Sequence, residues 1–234
     1  MSSNRIIVII PARRDSKRLP KKNVSVLGDA PLVAHSIAYA QSHPDLADAV
    51  YVTTNDPEVK AIAVAHAAQV VDRPEVLCGD TATTVSALKH VLETIACACE
   101  YVVVLQPTNP LRPKHLLQEA LEIFEEGGYD SLMTVSRNQQ KFGTLEGNTF
   151  VPYNYALGQR SQDLEPLYYE NGLLYISSIE NIKKGRLLGD NHYAMVVDHP
   201  FAKIDIDTLE DFEYAEFLLE RGLRQAQPDK EGEA

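Results

Sequence analysis

Residues 6–23, I-I-V-I-I-P-A-R-R-D-S-K-R-L-P-K-K-N, restrict the possible folds of this chain more than any other stretch. Five apolar residues in a row without alternation predict a strand covered on both faces, as in a parallel α/β sheet. Pro11 has no N–H to give a ladder, so a central strand stops there. The basic segment that follows, with Arg13, Arg14, Lys17, Arg18, Lys21 and Lys22, therefore starts at the carboxyl end of a strand. Open α/β sheets bind ligands in the crevice beyond that edge, so cations placed there point to an anion, most simply a polyphosphate. A basic run of this length also suits a solvated loop or a nucleic-acid patch. The net charge of -11 weighs against a general nucleic-acid surface. Ser16 and Asn23 also set neutral hydrogen-bonding groups among the cations, as a defined ligand site needs.

Beyond this loop the pattern alternates between helix and strand. Leu32, Val33, Ile37 and Ala40 form a helical stripe over 31–42, with Pro31 near its start. A β-branched strand at 49–54, an alanine-faced helix at 58–68 and a short strand at 69–71 follow, joined by connections of a few residues. Such βαβαβ order implies a parallel sheet with right-handed crossovers. No G-x-G-x-x-G or G-x-x-x-x-G-K-[ST] stands at a strand end, so neither the usual dinucleotide fingerprint nor a P-loop is supported. Residues 73–84 form a polar loop into a helix at 85–96, where Thr83 or Thr84 suits the cap. A buried strand at 101–105 breaks into Q-P-T-N-P-L-R, which two prolines hold rigid, again at a strand's carboxyl end. The helix at 114–126, with Leu116, Leu117, Ala120, Leu121 and Phe124, faces the core, and a strand follows at 130–136.

Residues 139–170 are polar, lack a helical stripe and carry Tyr153, Tyr155, Tyr168 and Tyr169. A stretch this long suits either an extension that leaves the sheet and meets a second subunit or a surface loop. The chain returns to the core at 171–176, with a helix near 179–184 and a strand near 194–197. In K-I-D-I-D, Ile204 and Ile206 share one face while Asp205 and Asp207 share the other. Two aligned carboxylates are natural oxygen ligands for Mg²⁺. Asp207 with Glu210 also suits a capping-box-like start for the helix at 208–220, an explanation that leaves Asp205 unaccounted for. The expected division is an α/β domain over 1–138 and 171–222, an insertion at 139–170 and a disordered polar tail at 223–234. Cys78, Cys97 and Cys99 are odd in number and form no C-x-x-C pair, which suits packing residues in a reduced cytoplasm. No run approaches the roughly 18 to 20 apolar residues of a membrane span, and residues 1–5 lead straight into a strand without a signal peptide. A cytoplasmic protein with no membrane or nucleic-acid partner is expected.

Six pieces in order carry a resemblance: I-P-A-R-R-D-S-K-R-L-P-K-K-N, R-P-x-x-L-x-x-D-T-A-T-T, Q-P-T-N-P-L-R, R-S-Q-D-L, E-N-G-L-L-Y-I and D-I-D-T-x-x-D. Together they resemble the bacterial CMP-sialic acid synthetases, the acylneuraminate cytidylyltransferase family, which includes enzymes for legionaminic and pseudaminic acids. The resemblance spans 6–220. It implies a Rossmann-like nucleotidyltransferase α/β sheet with a dimerisation insertion. It also implies transfer of CMP from CTP to the anomeric 2-hydroxyl of a nine-carbon 2-keto acid, release of pyrophosphate, a requirement for Mg²⁺, and a homodimer. By the same resemblance Arg13, Lys17 and Lys22 hold the triphosphate, while Asn23, Arg73, Ala82 and Thr84 contact ribose and cytosine. Gln106, Asn109, Arg160 and Tyr175 line the sugar-acid pocket. Asp205 and Asp207 hold the metal and complete the catalytic set.

This chain departs from the family pattern at several points. Arg14 and Asp15 stand where many members have two glycines, so the phosphate loop lacks their φ freedom. Ser161 follows Arg160 where many have a second arginine, Pro166 shifts the neighbouring segment, and Asn109 replaces a commoner serine. These changes bear on the choice of sugar more than on the reaction. The 3-deoxy-manno-octulosonate cytidylyltransferases, a related family, also carry S-x-R-L-P, but Lys22-Asn23 favours the nonulosonate group. A non-catalytic nucleotide-binding module would have little use for Lys22, Asp205 and Asp207 together.

Overall fold

The computed structural model describes residues 6–14, 16–95 and 99–226. Strand β1 (Ile6–Pro11) ends at its proline and leads through the basic loop to a small hairpin, β2 (Val26–Leu27) with β3 (Ala30–Pro31). Helix α1 (Leu32–Gln41), β4 (Ala49–Thr54), α2 (Pro57–Ala65) and β5 (Gln69–Asp72) follow. Asp56 caps α2 by accepting the Glu58 N–H, and Pro57 fills the first helical position, where no N–H is needed. Next come α3 (Thr84–Ile95), β6 (Tyr101–Val104), α4 (Leu116–Gly127) and β7 (Ser131–Asn138). After a second hairpin, β8 (Gly143–Glu146) with β9 (Thr149–Pro152), the chain ends in β10 (Leu167–Ser178), α5 (Ile179–Lys183), β11 (His192–Val196) and α6 (Leu209–Ala226).

Among the described residues, seven strands form the main sheet in the order β11-β7-β10-β6-β1-β4-β5. Only the pairings made by β10, which runs between β6 and β7, are antiparallel. Residues 6–10 alternate between two buried layers. Ile6, Val8 and Ile10 pack with Val33 and Ile37 of α1 and Phe124 of α4, while Ile7 and Ile9 pack with Leu88 and Val91 of α3. Each buried isoleucine contributes about 1.5 to 3 kcal/mol, so this one strand fastens both helical layers. A third cluster of Leu27, Leu32, Leu111, Ile204, Ile206 and Leu218 ties α6 and the 204–206 segment to the same edge.

The excursion from the sheet is shorter than 139–170. Leu167 pairs with Asn138 and Glu170 with Val135, so 167–170 already belong to β10, and the departing segment, 139–166, includes a β-hairpin. Helix α6 continues past residue 220 to Ala226, over the first four residues of the expected tail. The rest of that tail, Asp15 and Cys97 lie outside the described residues. Cys78 and Cys99 are buried. Among the described residues no helix is long and apolar enough to cross a membrane.

Candidate active site

The loops that follow β1, β5 and β6 all leave the same edge of the sheet and meet the segment before α6 around a cavity of about 460 Å³. Arg13, Lys17, Lys22, Asn23, Arg73, Ala82, Thr84, Gln106 and Asp207, expected from the motifs, line it together. Pro11, Ser16, Arg18, Thr83, Pro107 and Thr108 complete the wall. The motifs give no individual role to Arg18 or Thr108. Their place inside the basic loop and the proline loop was the only signal available for them.

The two loops flanking the cavity grip each other. Arg13 donates from Nη1 to the carbonyls of Cys78 and Gly79, both at 3.0 Å, and Lys17 pairs with Asp80 at 2.5 Å. Asn23 donates from Nδ2 to the Arg13 carbonyl at 2.8 Å, which closes the basic loop on itself. Lys21, in the left-handed region at φ 58°, turns the chain so that its own side chain pairs outward with Glu58 while Lys22 points inward. Among the described residues of the basic loop, Lys21 is the one in the left-handed region. Arg73 is buried against β4, donating to the Thr53 carbonyl at 3.2 Å, and burial holds its guanidinium below the ordinary arginine range. Thr83 accepts the Ser86 N–H at 3.1 Å, so the hydroxyl-rich start of α3 does include a cap.

The aspartates differ from each other. Asp207 accepts from Lys22 Nζ at 2.8 Å and from Arg18 Nη2, and Lys22 also donates to the Ile206 carbonyl at 2.7 Å. Lys22 is only 8% exposed. Asp205 is exposed and is not among the residues that line the cavity, though it hydrogen-bonds with Thr108 of the wall. Crowding of its inner side pushes its carboxyl above the ordinary range. A hydrogen bond with Thr108 and the charge of Lys22 oppose that rise, and the negative charge of Asp207 adds to it. The start of α6 corrects the capping-box expectation. Thr208 and Asp211, not Asp207 and Glu210, satisfy it: Asp211 accepts the N–H groups of Asp207 and Thr208 at 3.0 and 2.9 Å, and the Thr208 hydroxyl accepts the Asp211 N–H at 3.3 Å. Asp207 is therefore free for the cations. Two hard carboxylates, one of them disfavoured as a lone charge, suit Mg²⁺, which takes one or two protein carboxylates and leaves its other positions to water and phosphate.

The four sugar-site residues do not assemble in this cavity. Only Gln106 lines it. Tyr175 pairs with Val104 at the carboxyl end of β6, and its hydroxyl, behind the wall, donates to Glu170 and accepts from Gln106 Nε2 at 3.4 Å. Asn109 is 1% exposed and clamps the backbone, donating to the carbonyls of Asn171 at 2.9 Å and Ile204 at 2.6 Å. A Cβ on Gly172, at φ +74°, would come within 2.8 Å of Asn109 Oδ1, which accounts for the glycine of E-N-G. Arg160 sits in the departing segment and pairs with Asp163 at 2.7 Å. Sequence reasoning overlooked Arg112. Only 6% exposed, it donates to the carbonyls of Leu173 at 2.7 Å and Gln106 at 2.8 Å, and burial pulls its pKa down to about 9. It secures the backbone from which Gln106 enters the cavity.

A cytidylyltransferase family model matches residues 7–230. The chain is 34% identical over 214 residues to N-acylneuraminate cytidylyltransferase of Streptococcus agalactiae, a match covering 88% of this chain and 51% of that protein. It is 30% identical to CMP-N,N'-diacetyllegionaminic acid synthase of Legionella pneumophila, covering 92% and 97% of the two chains. It is 28% identical to pseudaminic acid cytidylyltransferase of Campylobacter jejuni, covering 91% and 95%. The chain spans about half the length of the N-acylneuraminate cytidylyltransferases of Streptococcus agalactiae that it matches. In fold it is similar to a CMP:2-keto-3-deoxy-manno-octonic acid synthetase complexed with CTP, with a TM-score of 0.70 at 15% identity over 93% of this chain and 99% of that one. It is also similar to 4-diphosphocytidyl-2C-methyl-D-erythritol synthase of Anaerococcus prevotii, with a TM-score of 0.67 at 13% identity over 94% and 100%. The central sheet is thus a nucleotidyltransferase sheet, and the chain belongs to the cytidylyltransferase family.

Proposed function

We propose that the protein transfers CMP from CTP to the anomeric 2-hydroxyl of a sialic-acid-like nonulosonic acid and releases pyrophosphate. The observation that carries this reading is the meeting of Arg13, Lys17, Lys22 and Asp207 around one cavity, from loops nearly 200 positions apart in the chain. Arg13, Lys17 and Lys22 neutralise the triphosphate, which replaces Asp80 as the partner of Lys17. Asn23, Arg73, Ala82 and Thr84 take the ribose and cytosine, and Gln106 and Tyr175 orient the acceptor. The anomeric oxygen attacks the α-phosphorus in line, forming a P–O bond as the bond to the β-phosphate breaks. Alignment and charge neutralisation supply the acceleration. Asp205 and Asp207 would hold Mg²⁺, which when bound neutralises phosphate charge and lowers the pKa of a coordinated hydroxyl. The segment 139–166 exposes Phe142, Leu145, Phe150, Tyr153 and Leu157, and we assign it to a homodimer contact in which Arg160 serves the partner's sugar site. An odd count of three cysteines without a C-x-x-C pair suits the reducing cytoplasm.

Pyrophosphate release from CTP and Mg²⁺ should be measured with sialic, legionaminic and pseudaminic acids and with 3-deoxy-manno-octulosonate. Turnover with a nine-carbon acid is expected. Preference for the eight-carbon acid, or CTP binding without turnover of any keto acid, would overturn the assignment.

A further inference from the structure

Glu170 stands outside the nucleotide cavity, and the reaction scheme gives it no role. It ends the first paired stretch of β10, after which the register with β7 shifts, and pairing resumes at Tyr175. That irregularity turns Glu170 back so that its Oε1 receives the Tyr175 hydroxyl. The Tyr175 oxygen in turn receives Gln106 Nε2 at 3.4 Å, and Gln106 forms part of the cavity wall. A carboxylate accepts hydrogen bonds and cannot donate them, and a phenol has a single proton. Tyr175 must therefore spend its proton on Glu170, and only the amide nitrogen of Gln106 can face Tyr175. The amide oxygen of Gln106 is then the end left for a substrate. The main chain at Gln106 cannot adjust to reverse this, because its carbonyl is held by buried Arg112.

We infer that Glu170 is a positioning residue for acceptor selection: through Tyr175 it fixes the Gln106 side chain so that its carbonyl oxygen meets a hydroxyl or acylamino N–H donor of the nonulosonic acid. This inference rests on the proposed cytidylyltransferase reaction and names the acceptor chemistry read at that site. In Glu170→Gln the new amide can donate to Tyr175, Tyr175 can donate to the Gln106 oxygen, and Gln106 can turn its NH₂ group outward. The shape of the site is kept while the direction of its hydrogen bonds is lost. Glu170 is exposed, so this change does not disturb the core.

The test is steady-state pyrophosphate release with the best nonulosonic acid, measured for wild type, Glu170→Gln, Glu170→Asp, Tyr175→Phe and the double variant Glu170→Gln/Tyr175→Phe. Loss of one well-directed hydrogen bond predicts about a tenfold rise in acceptor KM for Glu170→Gln, with the KM for CTP unchanged. Glu170→Asp, which keeps an acceptor-only group, should recover part of that loss. In the Tyr175→Phe background Glu170→Gln should have no further effect, since the relay is already cut. Wild-type turnover with an unchanged acceptor KM in Glu170→Gln, an equal rise in both KM values, or additive single effects would overturn the inference and leave the reaction standing. A wild type that turns over no nonulosonic acid would remove the reaction, and the inference with it.

Discussion

Asp205 and Asp207 sit two positions apart in opposite electrostatic circumstances. Asp207 is held by Lys22 and Arg18, whereas among the described residues no cation pairs with Asp205, whose carboxyl is pushed up chiefly by burial and also by Asp207. A raised carboxyl pKa means that the folded chain keeps a proton that the unfolded chain has released. The contribution of Asp205 to stability is therefore greatest below the ordinary carboxylate value and declines as the pH rises through the folded value. Asp205→Asn should raise the melting temperature at neutral pH, with the gain shrinking in acid, while turnover is lost. Melting curves across pH paired with pyrophosphate assays check this, and a less stable Asp205→Asn protein at neutral pH would contradict it. The chemistry of these residues was legible from alternation alone: Ile204 and Ile206 are buried as the pattern requires. What the pattern could not say was which carboxylate the cations would claim, because Lys22 and Arg18 lie about 185 positions away.

At the scale of elements, the start of α6 shows why a short-range motif misled. Asp207 with Glu210 and Thr208 with Asp211 share the same three-residue spacing, and only the position at which the helix begins decides which pair reaches back to the free N–H groups. Burial raises the Asp211 carboxyl, but hydrogen bonds from Asp207 and Thr208 outweigh it and hold the group below its ordinary value. Thr208→Ala should destabilise the fold by about 1 kcal/mol in denaturant titration. Because the Asp211 pKa is depressed, that capping stability is present above the unfolded value and is lost as the pH falls through the folded one, so the deficit should narrow in acid. The loop after β6 depends on Arg112. Arg112→Met fills similar space but takes the charged donor from the buried Leu173 carbonyl and leaves the Gln106 carbonyl to the Asn109 N–H and the Ser36 hydroxyl, so a loss of about 2 kcal/mol is expected. An unchanged denaturation midpoint would show that the loop holds itself. Strands and helices of the parallel half were readable because each buried run is local. The β8–β9 hairpin was not, since Leu145 and Phe150 face solvent and leave no alternating signature.

For the whole molecule, the account stands on the sheet bringing separate loops to one edge. Parallel order made that edge inferable from Pro11 and Pro107, and all seven expected nucleotide residues line the shared cavity. The acceptor side was less legible. Asn109 became a backbone clamp, Tyr175 moved behind Gln106, and Arg160 stayed with Asp163, because their placement depends on a register shift in β10 and on a segment that leaves the sheet. The most direct measurement is calorimetric titration of CTP with Mg²⁺ into wild type and Lys22→Met, a variant that keeps the length of the buried side chain and removes its charge. Binding by wild type and a weakening of about tenfold or more in Lys22→Met, with both proteins folded, is the predicted result. Equal CTP affinity in the two proteins, or no CTP binding by wild type, would contradict it.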